Sequence, residues 1–162
     1  MVKTLLSCLA AASLLAACGG GMSPKVRVGD AVPKSLNKTI APGVDQRAVS
    51  TMDRQARLYR WRIADLVEQG RPFLVVFGTP QHCSMCVDQL TRVAYMEEKY
   101  GDRFAFVHVD GYKDSAVWVQ WGVKGEPWTF LVDAGGRVRS IFPGQTELPL
   151  LDQEIQRLLK PA

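Results

Sequence analysis

Apolar residues along this chain alternate between unbroken runs and helical spacing, and the order of these changes predicts the architecture. Phe73 to Phe77 has no polar break, the mark of a strand buried on both faces. From Cys83 to Tyr100 the spacing becomes helical, with Cys86, Leu90, Val93 and Tyr100 along one side. Phe104 to Asp110 reads as a second strand, and Ser115 to Trp121 as a short helix stopped at Gly122. Thr129 to Val132 and Val138 to Phe142 are two further strands, joined by Asp133-Ala-Gly-Gly136, a sequence suited to closing a hairpin. Leu148 to Leu159 is a final amphipathic helix.

The first third is less regular. Lys25 to about Ser50 mixes Pro, Gly, Asn and Lys with little periodicity and reads as loop, with one short strand expected at Val26 to Val28. Arg57 to Ile63 alternates, Tyr59, Trp61 and Ile63 against Leu58, Arg60 and Arg62, which predicts a half-buried strand or hairpin arm. From Phe73 onward the order β-α-β-α-β-β-α puts parallel strands around crossover helices and then adds an antiparallel edge. The expectation is an α/β fold, a central mixed sheet flanked by helices on both faces. The length suits one domain of roughly 110 to 140 residues.

Charge narrows the partners. Lys and Arg number 20 against 16 Asp and Glu, a net charge of +4. This mild excess does not argue for nucleic acid. Arg54, Arg57, Arg60 and Arg62 form a local group that reads as a solvated face, with contact to anionic lipid headgroups as the alternative.

The N-terminus changes the picture more. Lys3 and the hydrophobic stretch from Thr4 to Ala17, which includes Cys8, have the form of a signal sequence, too short to span a bilayer, which takes about 20 apolar residues. Leu15-Ala-Ala-Cys18 resembles the lipobox of bacterial lipoproteins, in which the cysteine is lipidated and becomes the mature N-terminus. An ordinary secretory signal cleaved nearby is the alternative. The organisation expected is a signal peptide over 1–17, the lipidated cysteine and a loop-rich tether over 18–50, and one domain over 51–162. Such a protein would sit in the bacterial cell envelope, outside the cytoplasm, held to a membrane by lipid.

With Cys8 and Cys18 so placed, Cys83 and Cys86 are the thiols left in the domain, and each is the other's expected partner. They follow a buried strand and a short turn, at a helix start. Cysteines three apart can lie on one helical turn, near enough to bond after small adjustments. Unpaired N–H groups at a helix N-terminus favour a thiolate at the first of the two, so Cys83 is the expected nucleophile.

The strand-turn-Cys83-x-x-Cys86-helix unit, the segment Gly122-Val-Lys-Gly-Glu-Pro127-Trp-Thr-Phe-Leu-Val-Asp133, and the closing hairpin and helix resemble the thioredoxin superfamily. The resemblance is greatest to its membrane-tethered TlpA-like thiol-disulfide oxidoreductases, and it covers about Ala56 to Leu159. It implies a thioredoxin-like fold and a redox-active Cys83–Cys86 disulfide with no other cofactor. It also implies a cis Pro127 beside the dithiol, with Glu126 and Trp128 at a substrate groove whose rim includes Gly78-Thr-Pro-Gln81. Implied partners are proteins carrying disulfides and a membrane thiol donor of electrons. Trp61, Trp118 and Trp121 are assigned to packing. The chain departs from the family in having His82 before the first cysteine and Ser84-Met85 between the two. Val75 to Phe77 carries no acid, and Gln89 stands where some relatives carry one. Proton relay to Cys86 is left to water, Glu126 or Asp88. His82 and Glu126 pull the potential in opposite directions, with Met85 a further modulating position, and the expectation is the reducing half of roughly −270 to −120 mV.

Two rival functions come from other classes. His82, Cys83, Met85 and Cys86 offer soft donors within four positions, a set suited to Cu(I) and hence to a thioredoxin-fold metallochaperone. A non-catalytic thioredoxin-like module that binds a partner is the second rival. Val87 rather than His after the second cysteine excludes covalent haem attachment, and His108 on a strand reads as a packed or edge histidine.

Overall fold

The computed structural model describes residues 24–160; Cys8 and the expected lipidation site Cys18 lie outside the described residues. Helix α1 is Ile63–Glu68, strand β1 Phe73–Gly78, helix α2 Ser84–Tyr100, strand β2 Ala105–Asp110, helix α3 Ser115–Trp121, strand β3 Trp128–Val132, strand β4 Val138–Pro143 and helix α4 Leu148–Leu159. The strands lie in the order β2-β1-β3-β4. β1 is parallel to β2, in register from Phe73 opposite Ala105 to Gly78 opposite Asp110. β3 runs antiparallel to β1 and to β4, which makes the sheet mixed.

Each face of the sheet carries its own core, which is why β1 has no polar side chain and β2 has only His108 and Asp110. Phe73, Val75 and Phe77 join Val107, Val109, Phe130 and Val132 under α1 and α3. On the other face Leu74, Val76, Phe106 and Leu131 meet Leu90, Val93 and Met96 of α2 and Leu151 and Ile155 of α4. The rings of Trp118, Trp121 and Phe130 surround that of Phe77 at centroid distances of 5.3 to 5.8 Å.

Two expectations before β1 are corrected. Arg57 to Ile63 is not a strand: Ala56–Tyr59 is a 3-10 turn, and α1 begins at Ile63. The turn buries the adjacent Leu58 and Tyr59 together, which a half-exposed strand cannot do. It also aims Arg57 and Arg60 at the same carboxylate, Glu97, at 3.3 and 2.7 Å, while all four arginines of the group stay exposed, as a solvated face requires. Val26 to Val28 forms no strand either. Here Gly29 N–H donates to Val138 O at 2.8 Å, and Ala31 makes a lone antiparallel bridge with Arg137.

Gly122 closes α3 in the left-handed region, at φ +65°. A Cβ there would stand 2.6 Å from Lys25 N, the amide that donates to Trp121 O. Gly122→Ala is therefore expected to cost at least about 1–2 kcal/mol from backbone strain alone. Urea denaturation at constant m-value measures it.

Candidate active site

The site is built at the C-terminal end of β1. After Gly78 the chain turns, and Thr79 O accepts from both His82 N–H and Cys83 N–H at 3.2 Å. Cys83 is the N-cap of α2 rather than its first residue, with extended dihedrals, and its Sγ accepts from Cys86 N–H at 3.1 Å. An N-cap side chain is the natural acceptor for the unpaired donors of the first turn, so a sulfur anion at this position is held by the helix start. Cys83 and Cys86 are disulfide-bonded, with Cα atoms 5.2 Å apart. Cys83 is half-buried, whereas Cys86 is fully buried against the strand. Gly78 permits that approach: a Cβ there would lie 3.1 Å from Cys86 Cβ and 3.2 Å from its Sγ.

From across the sheet, the turn before β3 supplies Glu126 and Pro127, joined by a cis peptide. A Glu126 carboxylate oxygen and the two sulfurs all lie within 4.8 Å of one another. Glu126 Oε1 is 2.7 Å from His82 Nε2, a distance that fits Nε2–H donating to the carboxylate, while Oε2 is buried without a hydrogen-bond partner among the described residues. His82 also packs against Tyr112, ring centroids 5.2 Å apart. Of the acids weighed for the proton relay, Asp88 is exposed and accepts from Gln145 Nε2 at 3.3 Å, leaving Glu126 at the sulfurs. Gln89 is a buried tie instead, its Oε1 accepting from Thr146 N–H at 2.8 Å.

Other expectations change. Trp128 is no groove residue: it is 3% exposed, because β3 turns its ring onto the face shared with Phe130. The loop expected at the rim is half sunk, with Gly78 and Thr79 buried and Gln81 exposed. Met85 is exposed, and the donor that joins the sulfurs is a carboxylate oxygen, a hard ligand ill suited to Cu(I). Trp118 packs as expected, its Nε1–H donating to Val109 O at 3.1 Å.

Behind the dithiol lies a buried polar chain that sequence reasoning did not assemble. His108 Nε2 is 3.0 Å from Gly78 O and must carry the proton there, so Nδ1 accepts from Tyr59 O–H at 2.6 Å. Tyr59 then accepts from Ser50, 2.7 Å away, whose own oxygen takes Met52 N–H at 3.0 Å. Burial pushes the His108 pKa down from 6.5 to about 4, against the opposing pull of the Gly78 carbonyl and of the Asp110 and Glu126 charges. Burial likewise raises the Tyr59 phenol well above its ordinary range. Asp110, also buried, accepts from Thr51 N–H and Thr51 Oγ1, both at 2.6 Å, pinning the 50–52 stretch to the end of β2. A histidine and a closing acid on a strand apolar elsewhere, the acid directly opposite Gly78 in register, were the available signal.

The Glu126 charge disfavours thiolate at the neighbouring sulfurs and so favours the disulfide. Glu126→Gln is expected to stabilise the reduced pair about tenfold, making the potential ~30 mV less negative. Equilibration against glutathione measures it, and an unchanged or more negative value would contradict this role.

No protein-family model matches the chain, and no curated protein matches it. Solved structures do. A thioredoxin of Nicotiana alata, NaTrxh, is 22% identical over 59% of this chain and 80% of its own, with a TM-score of 0.52. The Fasciola hepatica thioredoxin is 20% identical over 60% of this chain and 91% of its own, at 0.52. Thioredoxin-2, described as a component of the malaria parasite protein secretion machinery, is 20% identical over 54% and 82%, at 0.50. At such identities the likeness is one of fold. The chain therefore has a thioredoxin-like α/β fold, with a Cys-x-x-Cys pair at the start of the helix that follows its central strand.

Proposed function

We propose that this chain is a thiol-disulfide oxidoreductase, tethered outside the cytoplasm through lipid on Cys18, that reduces disulfides in proteins and is itself re-reduced by a membrane thiol donor. The observation that carries the reading is the unequal pair at one helix start: a half-buried Cys83 capping α2 and a buried Cys86 bonded to it. The accessible sulfur is the one the helix start stabilises as an anion, which is what a nucleophile requires. The TlpA-like resemblance and the lipobox-like Leu15-Ala-Ala-Cys18 support the tether and the reducing direction.

In the forward direction the Cys83 thiolate attacks one sulfur of a substrate disulfide, forming a Cys83–substrate bond and releasing the other sulfur as a thiolate. Cys86, deprotonated, then attacks Cys83 Sγ. The Cys83–Cys86 bond forms, the second substrate thiolate leaves, and two electrons have passed from the pair to the substrate. Glu126, with its unpartnered oxygen, is the acceptor for the Cys86 proton.

The test is the reduction potential of the pair in glutathione or dithiothreitol buffers, with a parallel Cu(I) competition. A two-electron potential in the reducing half of roughly −270 to −120 mV with weak copper binding supports the reading. Stoichiometric tight Cu(I) binding would replace it with metal delivery. For the anchor, Cys18→Ala should move the protein from the membrane fraction to the soluble one.

A further inference from the structure

A cavity of about 660 Å³ opens beside the dithiol, and the exchange chemistry makes no use of it. Its volume falls within the range of ligand clefts, roughly 300–1,000 Å³. Gln81, two residues before the nucleophile, forms part of its wall, as does Val87, whose N–H donates to Cys83 O. The opposite wall belongs to the 47–54 stretch, which Thr51–Asp110 and Ser50–Tyr59 hold against β2 and the 3-10 turn. The cavity is thus walled on one side by residues that flank Cys83 in sequence and on the other by a stretch tied to β2.

Its charge is one-sided. Arg47, Arg54 and Lys113 line it against a single acid, Asp53. Among the described residues these three cations make no ion pair. Other described cations, Arg62 and Lys124 among them, are also without an ion pair, and what sets these three apart is that they share the wall of one cavity. A nearby fourth cation, Lys38, donates through Nζ to the Lys113 carbonyl. Unpaired cations gathered at the edge of a reactive site attract carboxylates and raise the rate of productive encounter.

We propose that this cavity is a docking subsite for an acidic segment of the substrate polypeptide, so that the preferred substrates carry Asp or Glu beside the disulfide that Cys83 attacks. The inference rests on the oxidoreductase reading and adds to it a substrate class. Apolar surface from Met52 and Val87 gives the segment's side-chain stems a place to lie, while Arg47, Arg54 and Lys113 meet its carboxylates.

The experiment compares reduction of three disulfide-linked peptides by the reduced protein, identical except for Glu, Gln or Lys beside the cysteine. The expected kcat/KM is about tenfold higher for the Glu peptide than for the Gln peptide, and lowest for the Lys peptide, with the difference shrinking as salt is raised. In the Arg47→Gln/Arg54→Gln double variant the Glu-to-Gln ratio should fall towards one, and in Arg139→Gln, on the far strand β4, it should not change. Equal rates for the Glu and Gln peptides in the wild type would overturn the subsite while leaving the oxidoreductase reading intact. Oxidised glutathione serves as a second probe: if it alone shows the Arg47- and Arg54-dependent preference, the site takes a small anionic disulfide and the polypeptide proposal fails. Should no disulfide be reduced, anisotropy of a cysteine-free Glu-rich peptide on the oxidised protein still decides. Binding lost in the double variant supports the subsite, and no binding rejects it.

Discussion

Cys83→Ser is expected to bring disulfide reduction to background, a loss of three orders of magnitude or more, on the scale seen when a covalent nucleophile is removed. Ser cannot supply a thiolate, and the buried Cys86 is closed to a polypeptide substrate. Cys86→Ser should behave differently. The first attack survives in that variant, but nothing is left to resolve the product, so turnover stops with substrate covalently attached to Cys83. Mass spectrometry under non-reducing conditions reads the adduct. An adduct on Cys86 in the Cys83→Ser protein, with none in the reciprocal variant, would reverse the two roles.

The second large effect concerns stability in mild acid. Folded His108 takes a proton only near pH 4, whereas in the unfolded chain it does so near its ordinary value of 6.5. Between these values the unfolded state binds more protons, so the stabilisation from keeping His108 neutral is full above about 6.5 and drains away as the pH falls towards 4. The loss is on the order of 3 kcal/mol, a large share of a stability of roughly 5–15 kcal/mol. Two carboxylates act lower down. Asp152 is held below its unfolded value of 3.8, chiefly by the hydrogen bond from Lys99. Glu154 stays below its value of 4.5 although burial opposes this, because Ser140 and Arg157 bond it. Their contributions fall away only below those values. Urea midpoints should therefore drop between pH 6.5 and 5 in the wild type and much less in His108→Gln. Parallel decline in the two proteins would place the acid-sensitive group elsewhere.

Much of the fold was legible in the sequence because its signals are local. Helix α4 was read to both ends, where an amphipathic stripe with Pro in its first turn starts at Leu148 and Leu159 closes it. Gly122 marked the end of α3 because a left-handed residue there needs no Cβ. Helix α1 was missed since it buries only Ile63 and Leu66, too few positions to establish a period. Trp128 was placed at a rim by its nearness to Pro127, although strand parity at β3 sends it inward. Glu126 could be named from sequence, but its grip on His82 depends on how two distant turns meet. The same is true of Thr51 with Asp110, and of the cavity beside the dithiol: these are meetings of segments about thirty to sixty positions apart, and no short window along the chain contains both partners.

In the proposed cycle, the unequal exposure of the two sulfurs would govern the traffic. With Cys86 sealed beneath the strand end, a donor that restores the dithiol must approach the same sulfur that substrates use. Under the proposed function, substrate and donor could not bind together, so the protein would alternate between them, each in effect an inhibitor of the other's access. On that reading a crowded pool of donor would slow disulfide reduction as surely as a shortage, and whatever fits one partner's surface to the Cys83 face would have to be loose enough to yield it to the next.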